Sequence, residues 1–157
     1  MRELFEQEFP KYERSLFLIA AAYLHNSEDA RDAVQETALQ AYRSLDTLRH
    51  REYFKTWLTR ILINKCKNFL RAKRYTEELS DDLQVFRSIP DEEMEILDAI
   101  CRMDEKSQRY ISLRFYQDMN YAEVAKVLMQ PVSTVKYRTK KALEELRQQL
   151  EGEAAHE

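Results

Sequence analysis

Tyr121-Ala-Glu-Val-Ala-Lys-Val-Leu-Met-Gln-Pro-Val-Ser-Thr-Val-Lys-Tyr-Arg-Thr-Lys-Lys141 reads as two short helices around a turn. Val124 and Leu128 share the inward face of the first helix, and Val135, Thr139, Ala142, Leu146 and Leu150 recur at helical spacing along one side of the second. Asn120 and Ser133 stand where N-caps are expected, since their side-chain oxygens can accept amide donors that a first helical turn leaves unpaired. Lys136, Tyr137, Lys140 and Lys141 then point outward. A turn followed by a cationic helix is the outline of a helix-turn-helix that enters a DNA groove.

The rest of the chain agrees with a helical fold. One glycine and three prolines in 157 residues leave few tight strand turns, and 44% hydrophobic residues suffice for cores. The expected class is all-α: two small helical domains joined by a flexible acidic linker. No apolar run approaches the roughly 18 residues that span a bilayer, so no membrane insertion is expected. The start, Met1-Arg-Glu-Leu-Phe, lacks a signal-peptide pattern, so a cytoplasmic location is expected. Cys66 and Cys101 are far apart without CxxC spacing and read as small buried side chains.

The net charge of −3 conceals a sorted pattern. Residues 1–48 carry five basic and nine acidic groups, residues 49–75 nine and one, residues 76–105 two and eleven, residues 106–141 eight and two, and residues 142–157 one and five. Because the Debye length is about 8 Å at physiological salt, a polyanion on either basic block feels mainly that block. Two separated nucleic-acid contacts follow.

Upstream, Phe5, Phe9, Tyr12, Leu16, Ile19 or Ala20, and Tyr23 line one face of a first helix in which Pro10 marks a start or a bend. Ser27 stands where an N-cap is expected for a second helix reaching about Ser44, with Glu28 and Asp29 at the positive end of its dipole. Its inner stripe is Ala30, Val34, Thr37 or Ala38, Ala41 and Leu45, small enough for close helix approach. A third helix from about Glu52 to Arg74 turns Phe54, Leu58, Ile61 or Leu62, Cys66 and Phe69 inward and Arg60, Asn64, Lys67, Arg71 and Arg74 outward. Almost no interleaved glutamate offsets that basic stripe, so nucleic acid is favoured over a merely solvated face. Residues 76–90 read as the linker. After Pro90 a helix starts at Asp91, and Asp104 caps another through Tyr110, Ile111, Leu113 or Arg114, and Phe115. The expected boundaries are a first domain at 1–75, the linker at 76–90, a second domain at 91–151 and a tail at 152–157. His25, His50 and His156 lie apart, and no nucleophile-base set, glycine-rich loop or metal-ligand cluster is seen, so neither an enzyme nor a cofactor or metal is expected.

Four segments resemble one family. Asp29-Ala-Arg-Asp-Ala-Val-Gln-Glu-Thr37 resembles the polymerase-binding helix of extracytoplasmic-function sigma factors of the sigma-70 family, the small two-domain subunits that direct bacterial RNA polymerase to promoters. Trp57-Leu-Thr-Arg-Ile-Leu-Ile-Asn-Lys-Cys-Lys-Asn-Phe-Leu-Arg71 resembles their promoter-melting helix, while Tyr121-Ala-Glu-Val-Ala125 and Ser133-Thr-Val-Lys136 resemble their fourth conserved region. The resemblance implies a transcription initiation factor that binds core RNA polymerase, recognises minus-35 and minus-10 promoter elements and assists strand opening. It implies that Asp29, Asp32, Gln35 and Glu36 meet the clamp helices of the largest subunit, with the flap of the second-largest subunit a further contact. It implies minus-10 DNA contacts by Tyr53, Trp57, Arg60, Asn64, Lys67, Asn68, Arg71 and Arg74, although side-chain packing favours a core role for Phe54 and Trp57. Minus-35 contacts fall to Ser133, Thr134, Lys136, Tyr137, Arg138, Lys140 and Lys141. An anti-sigma factor is an implied partner. Met129 and Ser133 stand where the family commonly has glycine, Asn68 where it has aspartate, Ala38 where it has phenylalanine and Tyr137 where it has serine. The alternative is a free-standing dimeric helix-turn-helix regulator on a palindrome, separable by whether promoter binding requires core polymerase.

Overall fold

The computed structural model describes residues 2–76 and 89–155, without the side chains of 74–76 and 153–155. The described residues form seven α-helices and no strand. By internal contacts the chain divides into two compact units, Met1–Gln84 and Val85–Glu157. Most of the expected linker, residues 77–88, and the last two residues of the tail lie outside the described residues.

In the first unit α1 (Arg2–Leu24), α2 (Ser27–Arg43) and α3 (Phe54–Thr76) pack pairwise against one another. Leu16, Ile19, Leu58 and Leu62 are fully buried, and Ala20–Ala22, Ala30, Ala33 and Ala41 let the helices approach closely. Two buried threonines resolve their hydroxyls locally: Thr37 donates to the Ala33 carbonyl at 2.6 Å and Thr59 to that of Lys55 at 2.7 Å. Each hydroxyl is thus paired with the carbonyl four residues back and needs no partner across the core. Helix α1 runs through Pro10, which is exposed, so water can serve the carbonyl that the proline leaves without a donor.

The cap of α2 differs from the expectation. Asn26, not Ser27, takes the extended backbone (φ −151) and its Oδ1 accepts the Asp29 amide at 3.0 Å, leaving Ser27 buried as the first helical residue. Asparagine caps at least as well as serine, and here it stands one residue earlier. Two short 3₁₀ turns, Leu45–Thr47 and Arg51–Tyr53, join α2 to α3, pinned by buried Leu45 and Leu48.

The second unit holds α4 (Asp91–Cys101), α5 (Glu105–Ile111), α6 (Tyr121–Leu128) and α7 (Val132–Ala155), with α7 contacting the other three. Leu97, Ile100, Ile111, Leu113, Met119, Val124 and Val135 form its core. Buried Gln108 ties the α4–α5 turn by donating from Nε2 to the carbonyls of Cys101 (3.0 Å) and Met103 (2.7 Å). Asp104 caps α5 as expected, accepting the Ser107 amide at 2.8 Å. That bond holds its carboxyl below the ordinary aspartate range, with a smaller contribution from the charge of Lys141.

Two details depart from the periodic reading. Beyond α5 the chain widens into a π-helical turn, Ser112–Tyr116, whose extra residue per turn rotates Phe115 out to solvent while Ile111 and Leu113 stay inside. Helix α7 starts at Val132, where Pro131 supplies the first carbonyl to the Val135 amide at 3.1 Å, so Ser133 lies within the helix and is no cap. Asn120 does cap α6, in a reciprocal box with Glu123.

Candidate nucleic-acid and partner surfaces

On α2 the segment from Asp29 to Glu36 divides. Asp32, Gln35 and Glu36 are exposed and adjacent on the helix surface, and Leu39, one turn further, is 56% exposed beside them. The sequence pattern did not single out Leu39, because a lone leucine beside acids reads as core. Asp29 is set apart: Lys73 Nζ of α3 lies 2.6 Å from its Oδ2, an ion contact although off the hydrogen-bond axis, with both side chains about three-quarters covered. Its charge is engaged inside the unit.

On α3 the structure brings Arg60, Asn64, Lys67, Asn68 and Arg71 onto the exposed surface. Arg74 continues the helix, and its side chain lies outside the described ones. None of Arg60, Lys67 and Arg71 has an ion-pair partner among the described residues. At the start of the helix Phe54 is buried against Tyr12 and Trp57, whose ring centroids lie 6.1 and 5.8 Å away, and Trp57 itself is half-buried. Tyr53 is exposed and stands edge-on to His50 at 5.7 Å.

On α7 the seven candidates sort by direction. Val135, Thr139, Ala142 and Leu146 are buried, and Ser133, Lys136, Tyr137 and Lys140 are exposed, with Tyr137 at 68%. Arg138 and Lys141 line a groove against the start of α5 with Asp104, Ser107 and Glu145. Thr134 is half-buried. Lys136 and Lys140 have no ion-pair partner among the described residues, so their charge is available to an incoming anion. The turn before α7 is held from below: the hydroxyl of buried Tyr110 donates to Gln130 Oε1, and the Gln130 amide donates to the Ala125 carbonyl at 3.1 Å. Two exposed apolar side chains border this face, Met129 and Val132. Placing the cap at Ser133 leaves Val132 in the turn, which is why the sequence reading passed over it.

Burial pushes the Cys66 and Cys101 thiols up to about 12, far from the thiolate form at neutral pH. Among the described residues no helix is long and apolar enough to cross a membrane.

Comparison with known proteins gives a consistent result. Residues 9–76 match the family model for Sigma-70 region 2, and residues 99–148 that for Sigma-70, region 4. RNA polymerase sigma factor SigV of Bacillus subtilis (strain 168) is 32% identical over 146 residues, covering 90% of this chain and 88% of the relative. RNA polymerase sigma-H factor of Pseudomonas aeruginosa is 29% identical over 92% of this chain and 86% of its own. The ECF RNA polymerase sigma-E factor of Escherichia coli (strain K12) is 30% identical over 85% of this chain and 80% of its own. Among solved structures, the sigma factor RpoE in complex with the anti-sigma factor NepR from Bartonella quintana superposes with a TM-score of 0.80 over 94% of this chain and 96% of that one, at 21% identity, which bears on the fold.

Proposed function

The chain belongs to the extracytoplasmic-function group of sigma-70 RNA polymerase sigma factors, and we propose that its two units divide promoter recognition between them while α2 docks on core polymerase. Asp32, Gln35 and Glu36 form an acidic and amide patch suited to the basic surface of a helix pair, with exposed Leu39 supplying apolar area at its edge. Asp29 acts through position: it neutralises Lys73 and braces α2 against α3.

The exposed stripe of α3 takes the minus-10 region. Arg60, Lys67, Arg71 and Arg74 hold phosphates by charge, and Asn64 and Asn68 read a base edge once the base leaves the stack. Tyr53 is the aromatic placed to stack on an unpaired base, since Phe54 is spent on the core and Trp57 half so. Helix α7 enters the major groove of the minus-35 element with Lys136, Tyr137 and Lys140 foremost and Ser133 at its first turn. Thr134, Arg138 and Lys141 lie on the flank, where phosphates of the groove wall are met. The flap of the second-largest subunit and an anti-sigma factor are the remaining partners. The protein works in the cytoplasm, by binding energy rather than by a chemical step of its own.

The observation that carries this reading is the set of cations on α3 and α7 with no acidic partner among the described residues. Gel shifts on promoter DNA with and without core polymerase test it. Complex formation that requires core supports the assignment; a tight twofold complex on naked palindromic DNA overturns it.

A further inference from the structure

The turn between α6 and α7 holds a residue that its backbone disfavours and its own fold does not use. Met129 has φ 55 and ψ 51, the left-handed region in which the Cβ of an L-residue is crowded and which glycine or asparagine ordinarily fills. Its side chain is 81% exposed, so it adds almost nothing to the core. Three residues on, Val132 opens α7 and is 49% exposed, with exposed Pro131 between them. A strained backbone carrying an exposed apolar side chain points to a contact made with something else.

The surroundings say what that is. Lys126 precedes Met129 by three residues and Lys136 follows Val132 by four, about one helical turn on each side, and both are exposed. An apolar step flanked by cations suits a polyanion that also offers carbon surface, and the first turn of the second helix is the part of a helix-turn-helix that reaches base edges. We infer that Met129 and Val132 form an apolar ledge that packs on duplex DNA at the edge of the groove read by α7, against deoxyribose carbons or thymine 5-methyl groups. This rests on the proposed role of α7.

The full chain is assembled with core polymerase and its affinity measured on duplex promoter fragments enriched by selection. Met129→Gly suits the backbone and removes the side chain; Met129→Leu keeps an apolar side chain on the same backbone. The ledge predicts about fivefold weaker DNA binding for Met129→Gly and for Val132→Ala, parental binding for Met129→Leu, and unchanged affinity for core in all three. Replacing single thymines by deoxyuridine, which lacks the 5-methyl group, separates the two carbon sources: a loss in the parent that is absent in a ledge variant assigns the methyl, and no loss at any thymine assigns the sugar. Parental DNA binding by Met129→Gly overturns the ledge, as does weaker binding to core. Lys140→Ala in the same assay distinguishes the two levels: if it alone weakens binding, only the ledge fails, and if it too binds like the parent, the role of α7 fails.

Discussion

Replacing Met129 by glycine is expected to stabilise the second unit. An L-residue in the left-handed conformation costs roughly 1–2 kcal/mol, which glycine avoids. Glycine also gives the unfolded chain more freedom, costing roughly 0.4–1 kcal/mol in return. Since Met129 is 81% exposed, almost no burial is lost, and a net gain of about 0.5–1 kcal/mol remains. For a unit of this size that raises its Tm by roughly 2–8 °C. Met129→Ala keeps the strained backbone and should match the parent, while β-branched Met129→Val should lower stability by about 1 kcal/mol. The single tryptophan, Trp57, lies in the first unit and supplies an internal control. Far-ultraviolet circular dichroism should report the upward shift as the Trp57 fluorescence transition stays in place. A Met129→Gly chain less stable than the parent would refute the strain argument.

Other outcomes follow from the same geometry. Lys140→Ala and Lys141→Ala should each lower the slope of log affinity against log salt for minus-35 binding, by up to about 0.9, as the loss of one cation beside the phosphates requires; an unchanged slope for either would remove that lysine from the DNA surface. Asn64→Ala should leave initial promoter binding near the parent and reduce strand opening by permanganate footprinting; equal opening in both proteins would remove Asn64 from that role. Asp104→Ala should cost about 1 kcal/mol at neutral pH by loss of the α5 cap. Because the folded carboxyl titrates below its unfolded value of 3.8, the part of that contribution owed to its charge is complete above about pH 5 and fades as pH falls through the folded value, so the gap between parent and variant should narrow in acid denaturation curves. A double-mutant cycle with Asp29→Asn and Lys73→Met should give a coupling of about 0.5–1 kcal/mol that shrinks with added salt; additive effects would mean the contact is idle in solution.

Where one element's own residues decide its shape, the sequence was legible. The stripes of α1, α2 and α7 appear as read, with Leu16, Ile19, Ala30, Val34, Val135, Thr139 and Ala142 buried, because a 3.6-residue period with a single apolar face admits one solution. Asn120 and Asp104 cap where expected, each with a polar acceptor and no better neighbour. Errors fell where two solutions competed locally. Asn26 and Ser27 are both good caps, and the chain uses the first. Pro131 and Ser133 both mark a helix start, and the helix begins at Val132, just after the proline, bringing Val132 onto the reading face. The π turn that exposes Phe115 leaves no residue-type signature of its own. Within the candidate sites, exposure along α3 and α7 followed from periodicity, but the withdrawal of Asp29 did not. Its partner Lys73 lies on another helix, far away in sequence, and one-dimensional spacing carries no record of that meeting.

The Asp29–Lys73 contact also sharpens the meaning of the sorted charge. An acidic α2 and a basic α3 pack against each other, a placement that could have joined their charges into a neutral network. Instead Asp32, Glu36, Arg60, Lys67 and Arg71 have no ion-pair partner among the described residues. Like charges three and four residues apart repel by a few tenths of a kcal/mol per pair, so the α3 stripe is a small standing cost to the isolated unit. A face that served only solubility would lower that cost by interleaving glutamates. A face that meets a polyanion must not, because each internal partner would have to be displaced before a phosphate could take its place, and the counterion release that drives association would be lost. The separation of acids from bases on neighbouring helices therefore favours two external partners of opposite charge, a basic protein surface for α2 and nucleic acid for α3.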